Sequence, residues 1–153
     1  MPHFDIMKTG SHLIVDSDLS SLEEWIGAPI PPDLRSFYLQ SDGGIFTQET
    51  IDISETLETT LNQIFSVVSS QFENIRVEYH DLKEDNRIPR WCLPIGDDPA
   101  GNLFIISLED ETYGAIYYWD HEREQIAENE TIAAFENLTL IADSFSEFVK
   151  KIR

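Results

Sequence analysis

The sequence predicts a single α+β domain over residues 1–153, with a central, mostly antiparallel β-sheet flanked by N-terminal, middle and C-terminal helices. Three observations carry the prediction. Apolar residues recur at helical spacing in the first half and again at the chain's end. Between residues 76 and 119 the period changes to β-branched and aromatic runs bounded by turn residues. The hydrophobic fraction is 41%, with nine Phe, five Tyr and three Trp, which is enough apolar material for a core without disulfides.

Ser17 or Asp18 is placed to cap a short helix through LSSLEEWI, in which Leu19, Leu22 and Ile26 share a face before Gly27 stops it. The Pro29-Ile30-Pro31-Pro32 break follows. Pro32 suits a first helical turn, and Leu34, Phe37 and Tyr38 form an apolar stripe that leaves through Asp42-Gly43-Gly44. The run IFTQETIDI, residues 45–53, alternates enough to read as a strand pair or an extended segment. Ser54 then reads as the cap of a longer helix whose stripe is Leu57, Leu61, Ile64, Phe65, Val68 and Phe72.

From Arg76 onward RVEYHDL, WCLPI, NLFIISL and YGAIYYW read as strands of one antiparallel sheet. The last two are joined by Glu109-Asp110-Glu111-Thr112, a connection of hairpin length that puts three carboxylates at a loop tip. Ser144-Phe145-Ser146-Glu147 is a capping box for a terminal helix, with Phe148, Val149 and Ile152 facing inward. No repeat, low-complexity tract or linker interrupts the chain.

Charge narrows the function. The chain has 29 acidic and 10 basic residues, a net charge of −19. Such a surface repels a phosphate backbone, so nucleic acid is not expected as a direct ligand. Between Pro94 and Val149 the only base is Arg123, set among 13 acidic residues. That segment suits a basic partner, although solubility alone also explains an acidic surface. Cys92 is the single cysteine, which excludes an intramolecular disulfide and points inside the cell. In the first twenty residues no apolar run exceeds Leu13-Ile14-Val15, and no stretch is long enough for a membrane span. A soluble, cytoplasmic protein without membrane contact is expected.

The order of WIGAPIPPDLRSFYLQSDGG, WCLPIGDDPAGNLFIISL, GAIYYWDHE and IADSFSEFVKKI resembles the SUKH superfamily, the Smi/Knr-type domain, over nearly the whole chain. Within it the resemblance rests on the early helix with Gly27 and the Pro break, the Asp42-Gly43-Gly44 exit, the Ile95-Gly96-Asp97 to Gly101-Asn102 turn, and terminal Ser144-Phe145-x-x-Phe148. It implies an α+β fold and a binding role. Bacterial members of the family commonly act as immunity proteins against polymorphic or contact-dependent toxins, often nucleases, whereas fungal relatives regulate cell-wall synthesis and signalling. The chain carries none of the long disordered extensions of those regulators, which favours the bacterial reading; an intracellular scaffold or regulatory module is the alternative. The partner expected is a cognate protein toxin with a basic nuclease domain.

Asp97, Asp98, Glu109, Asp110, Glu111, Tyr118, Trp119, Asp120, Glu122 and Glu124 are the candidate partner-binding residues. Carboxylates would steer a basic partner, and Tyr or Trp would anchor it. Gly96 and Gly101 serve turns, and Trp91 reads as a core residue. Asp97, Asp98, Asp120 and His121 are the only grouping with metal-like chemistry, but no zinc, P-loop, nucleophile-elbow or EF-hand spacing accompanies them. Cys92, flanked by Trp91 and Leu93, reads as a small buried hydrophobe. No catalytic residue, metal or cofactor is expected.

Overall fold

A computed structural model describes residues 4–69, 72–123 and 131–153. The apolar runs of the second half form its centre: β6 (Cys92–Asp97), β7 (Leu103–Ser107) and β8 (Ile116–Trp119) are adjacent antiparallel strands. Every residue of the three is buried except Asp97, so both faces of this part of the sheet are covered. β1 (Ile6–Thr9), β2 (Gly44–Phe46) and β5 (Gln63–Ile64) extend the sheet on one side. On the other side lies β9 (Leu138–Ala142). The strand order is β1-β2-β5-β6-β7-β8-β9, antiparallel at each pairing. A separate two-stranded ribbon joins β3 (Thr50–Asp52) to β4 (Glu58–Thr60).

Four helices complete the described residues: α1 (Asp16–Ile26), α2 (Pro32–Gln40), α3 (Ile75–Glu84) and α4 (Phe145–Lys151). Phe104 lies beside its cross-strand partner Tyr118, with ring centroids 5.5 Å apart, and meets Phe148 of α4 at 5.3 Å. Phe145 of α4 in turn packs 5.4 Å from Phe37 of α2. α2 and α4 therefore cover one face. Trp119, next to Tyr118 in β8, points to the other face by strand alternation. There its indole N–H donates to the Arg87 carbonyl at 3.1 Å, just beyond α3, which packs on β6. One contiguous core runs through all of these elements.

The helix ends follow the sequence closely. Gly27 has φ 89° and closes α1. The N-terminus starts earlier than Ser17, because the Asp18 carboxylate accepts the Val15 N–H at 2.9 Å from inside the first turn. Pro32 is the first residue of α2. Ser144 Oγ accepts the Glu147 N–H at 3.1 Å, and Phe145, Phe148 and Ile152 are buried beneath α4, with Val149 partly so.

Two elements are corrected. Among the described residues no helix follows Ser54 up to Phe72; the stretch 54–69 holds β4 and β5. The apparent stripe is not one face, since Leu57 is 50% and Val68 41% exposed. Ser54 instead sits in the turn between β3 and β4, where its N–H and that of Ile53 donate to the Leu57 carbonyl. Thr56, Thr59 and Thr60 are β-branched, and their extended preference outweighs a coincidental apolar spacing. Conversely RVEYHDL is not a strand but α3. Asn74 Oδ1 caps it by accepting the Arg76 N–H, and Ile75, Tyr79 and Leu82 bury one helical face. The 45–53 run does hold two strands, β2 and β3, but in different sheets. β1 and β9 were not expected.

Candidate partner-binding groove

Strand direction decides where the candidate residues can meet. β7 and β8 are antiparallel, so the 108–115 connection lies at one end of the sheet, while Asp97, Asp98 and Asp120 lie at the other. At about 3.3 Å per residue, strands of this length hold the two ends roughly 15 Å apart. The ten candidates do not form one patch.

At the 97-to-122 end, three candidates point inward. The Asp98 carboxylate accepts hydrogen bonds from Thr59 Oγ1 (2.9 Å), Ala100 N (3.0 Å), Asn102 N (2.9 Å), Asn102 Nδ2 (3.1 Å) and Tyr118 Oη (2.7 Å). Burial pushes this carboxyl up, but those donors outweigh it and hold the group below its ordinary value. Asn102 Oδ1 extends the network by accepting the His121 N–H at 3.0 Å. The Asp-Pro turn is therefore tied down rather than displayed. Exposures of 3% for Asp98, 5% for Tyr118 and 1% for Trp119 correct the expectation that these residues lie on a contact surface. Asp97, half-buried, accepts from Asn62 Nδ2 and Gln63 Nε2. Burial raises its pKa against those two bonds, and the neighbouring Glu73 and Asp98 raise it further. Asp120 is half-buried, Glu122 is exposed, and Glu124 lies outside the described residues. Among the described residues no group of carboxylates, His and Cys is arranged to hold a metal ion.

The other end is different. Asp110 and Glu111 are exposed on a 3-10 turn, Asp110–Thr112. That turn is pinned from below: Ser107 Oγ pairs with Thr112 Oγ1 at 2.7 Å and accepts the Glu109 N–H at 3.1 Å. Glu109 Oε1 reaches across to accept the Ile132 N–H at 3.0 Å. Opposite, Tyr113 Oη donates to the Pro29 carbonyl at 2.7 Å and ties the turn to the segment after α1. Between these ties lies a groove of about 870 Å³. Pro29, Trp91, Leu108 and Ile132 give it apolar walls; Glu109, Asp110 and Glu111 supply its charge, and no Lys or Arg lines it. None of the three carboxylates forms an ion pair among the described residues.

Trp91 thus differs from its reading as a core residue: it is partly buried and its ring forms a groove wall. Its edge faces Gly27, where a Cβ would lie 3.9 Å away, and the Arg90 guanidinium stacks 5.1 Å from the ring centroid. Pro29 and Ile132 were not identified from sequence, because neither sits in a periodic run that marks a surface. Cys92, the next residue, is fully buried, and burial with Glu109 nearby pushes its thiol well up. It is a packed side chain, not a nucleophile.

The arrangement presents a preformed concave surface of apolar floor and negative rim, suited to non-covalent capture of a cationic group. A family model described as SMI1 / KNR4 family (SUKH-1) matches residues 14–151, which include all four helices and the whole groove. No curated protein matches the chain.

Proposed function

The chain belongs to the SMI1/KNR4 family (SUKH-1), which includes toxin immunity proteins, and from that premise we propose that it is such a protein. It binds a cognate toxin in the cytoplasm, a basic nuclease domain of a polymorphic or contact-dependent system, and neutralises it without covalent chemistry. One observation carries this reading: three carboxylates border an apolar groove that no Lys or Arg lines, on a chain of net charge −19. A nuclease needs a positive surface for its substrate, so a negative partner associates fast and covers that surface. SUKH domains are typically binding modules, in keeping with this role. That no described helix is long and apolar enough to cross a membrane is compatible with it.

Genetic co-expression tests the proposal. The C-terminal domain of the protein encoded by the adjacent reading frame, as the candidate toxin, is induced in cells with and without this chain, and survival is counted. Protection by the wild-type chain, with a complex of the two purified proteins, is the expected result. Unprotected cells, or protection without a complex, would overturn it.

A further inference from the structure

The geometry points to the groove as an arginine-binding slot: a segment of the toxin inserts an Arg side chain, its aliphatic stem along Trp91, Leu108 and Ile132 and its guanidinium at Asp110 and Glu111. The inference rests on the immunity reading and specifies the partner chemistry at that site.

Three observations lead to it. The first is shape with charge: the groove has an apolar floor and an acidic rim, and this pairing matches side chains that bury their methylenes while keeping a cationic head at the edge. A neutral apolar segment would leave Asp110 and Glu111 without a counter-charge, and an acidic one would be repelled. The second is rigidity. The rim turn is held by the Ser107–Thr112, Glu109–Ile132 and Tyr113–Pro29 hydrogen bonds, so little ordering is required when a ligand enters. The third is the aromatic wall itself: Trp91 takes a guanidinium over its ring, that of Arg90 at 5.1 Å, although Arg90 does not line the groove. Arg is preferred to Lys because its planar head stacks on an aromatic ring and pairs with a carboxylate at once.

Arg90 also makes a signed prediction. As the cation on the Trp91 wall it opposes a second positive charge, so Arg90→Gln strengthens capture of a cationic ligand. The carboxylate variants Asp110→Asn and Glu111→Gln weaken it. Both carboxylates are exposed and accept no hydrogen bond from the described residues, so their removal leaves the fold intact.

The probe is the capped peptide acetyl-Leu-Arg-Trp-Arg-amide, titrated into the full-length ¹⁵N-labelled chain at low salt. Its counterpart carries citrulline at both Arg positions, which keeps the shape and removes the charge. Amide shifts confined to residues 108–113 and 131–133 and the Trp91 indole are expected. Affinity should fall about threefold or more with citrulline and with the Asp110→Asn/Glu111→Gln variant, as expected for semi-exposed ion pairs, and rise with Arg90→Gln. Equal binding of the citrulline peptide, or shifts scattered over the whole acidic surface, would overturn the slot. The two readings fail separately. If the wild type protects cells and the Asp110→Asn/Glu111→Gln variant binds the purified toxin domain with the same Kd, the slot is wrong and the immunity role stands. If the wild type gives no protection, the immunity role falls, while the peptide titration still decides the slot.

Discussion

Replacing Asp98 by Ala removes the acceptor on which five hydrogen bonds converge. A bond to a charged acceptor contributes about 1.5–3 kcal/mol, but five such bonds do not add. Ala100 is an exposed residue whose amide regains water, and Thr59 is only half-buried. The stranded donors are Tyr118 Oη and the Asn102 groups, both in buried residues. Loss of a buried charged hub with two unsatisfied partners costs about 3–5 kcal/mol. Tyr118→Phe takes away one donor and leaves the carboxylate four, so its cost is about 1–2 kcal/mol. Urea unfolding followed by tryptophan fluorescence measures both variants, and the double variant closes a cycle with a coupling of about 1–2 kcal/mol. The sign with pH follows from the depressed carboxyl. Its stabilisation is fully present above the unfolded value near ~3.9 and is lost as pH falls through the lower folded value. The gap between wild type and Asp98→Ala is therefore full at pH 6–7 and closes below about pH 4. A loss under about 1 kcal/mol, or additive Asp98 and Tyr118 effects, would refute the hub.

Asp42→Ala should destabilise the fold by about 2–4 kcal/mol, because this fully buried carboxylate accepts the backbone N–H groups of Val67, Val68 and Ser69 and so fixes the loop after β5. Urea midpoints check it, and a change confined to the experimental error would exclude that role. Asp97→Asn should act the other way. Burial, with Glu73 and Asp98 close by, raises the Asp97 pKa, so its charged form opposes folding at neutral pH and that cost disappears as pH falls through the folded value. The variant's Tm should exceed the wild type's at pH 7 and converge with it below pH 4; a lower Tm at pH 7 would mean that the Asn62 and Gln63 bonds dominate instead.

Capping and turn chemistry were legible in the sequence because they are local. Gly27 and Pro32 act within four residues of where they stand and are used as read; of the Ser144-to-Glu147 box the structure forms one half, Ser144 Oγ accepting the Glu147 N–H, while the Glu147 carboxylate pairs with Lys150. Period was less reliable where packing overrides propensity. Leu61, Ile64, Phe65 and Phe72 were rightly read as buried, yet they reach the core from strands and loops rather than one helix face. Val77 and Tyr79 have a strand preference, but Asn74 supplies a cap, and burial of Ile75, Tyr79 and Leu82 sets the helix. The carboxylates at 109–111 were placed at a loop tip, and that is where they lie. Asp98 was not legible, since a sequence cannot tell whether an Asp-Pro turn aims its carboxylate at solvent or at a hydroxyl twenty residues on.

That distinction bears on how a net charge of −19 is to be understood. Asp42 and Asp98 are interior acceptors and contribute nothing to an external face. Several bases are also committed: Arg35 lies between Asp16 and Glu23, Arg153 between Asp52 and Glu58, and Lys150 beside Glu147. Arg76, Lys83, Arg87 and Arg90 lie over aromatic rings along α3 and the segment after it. Ion pairing is thus concentrated around α1, the β3–β4 ribbon and α4, and among the described residues none of it reaches the 109–111 rim. The local imbalance, not the total, is what a cationic partner would sense within a Debye length of about 8 Å at physiological salt. Charge reversal at Asp110 and Glu111 should therefore slow toxin association more than the same change at Asp52 and Glu58, which Arg153 already screens. Stopped-flow association rates across a salt series compare the two pairs, and equal slowing would mean that only the total charge matters.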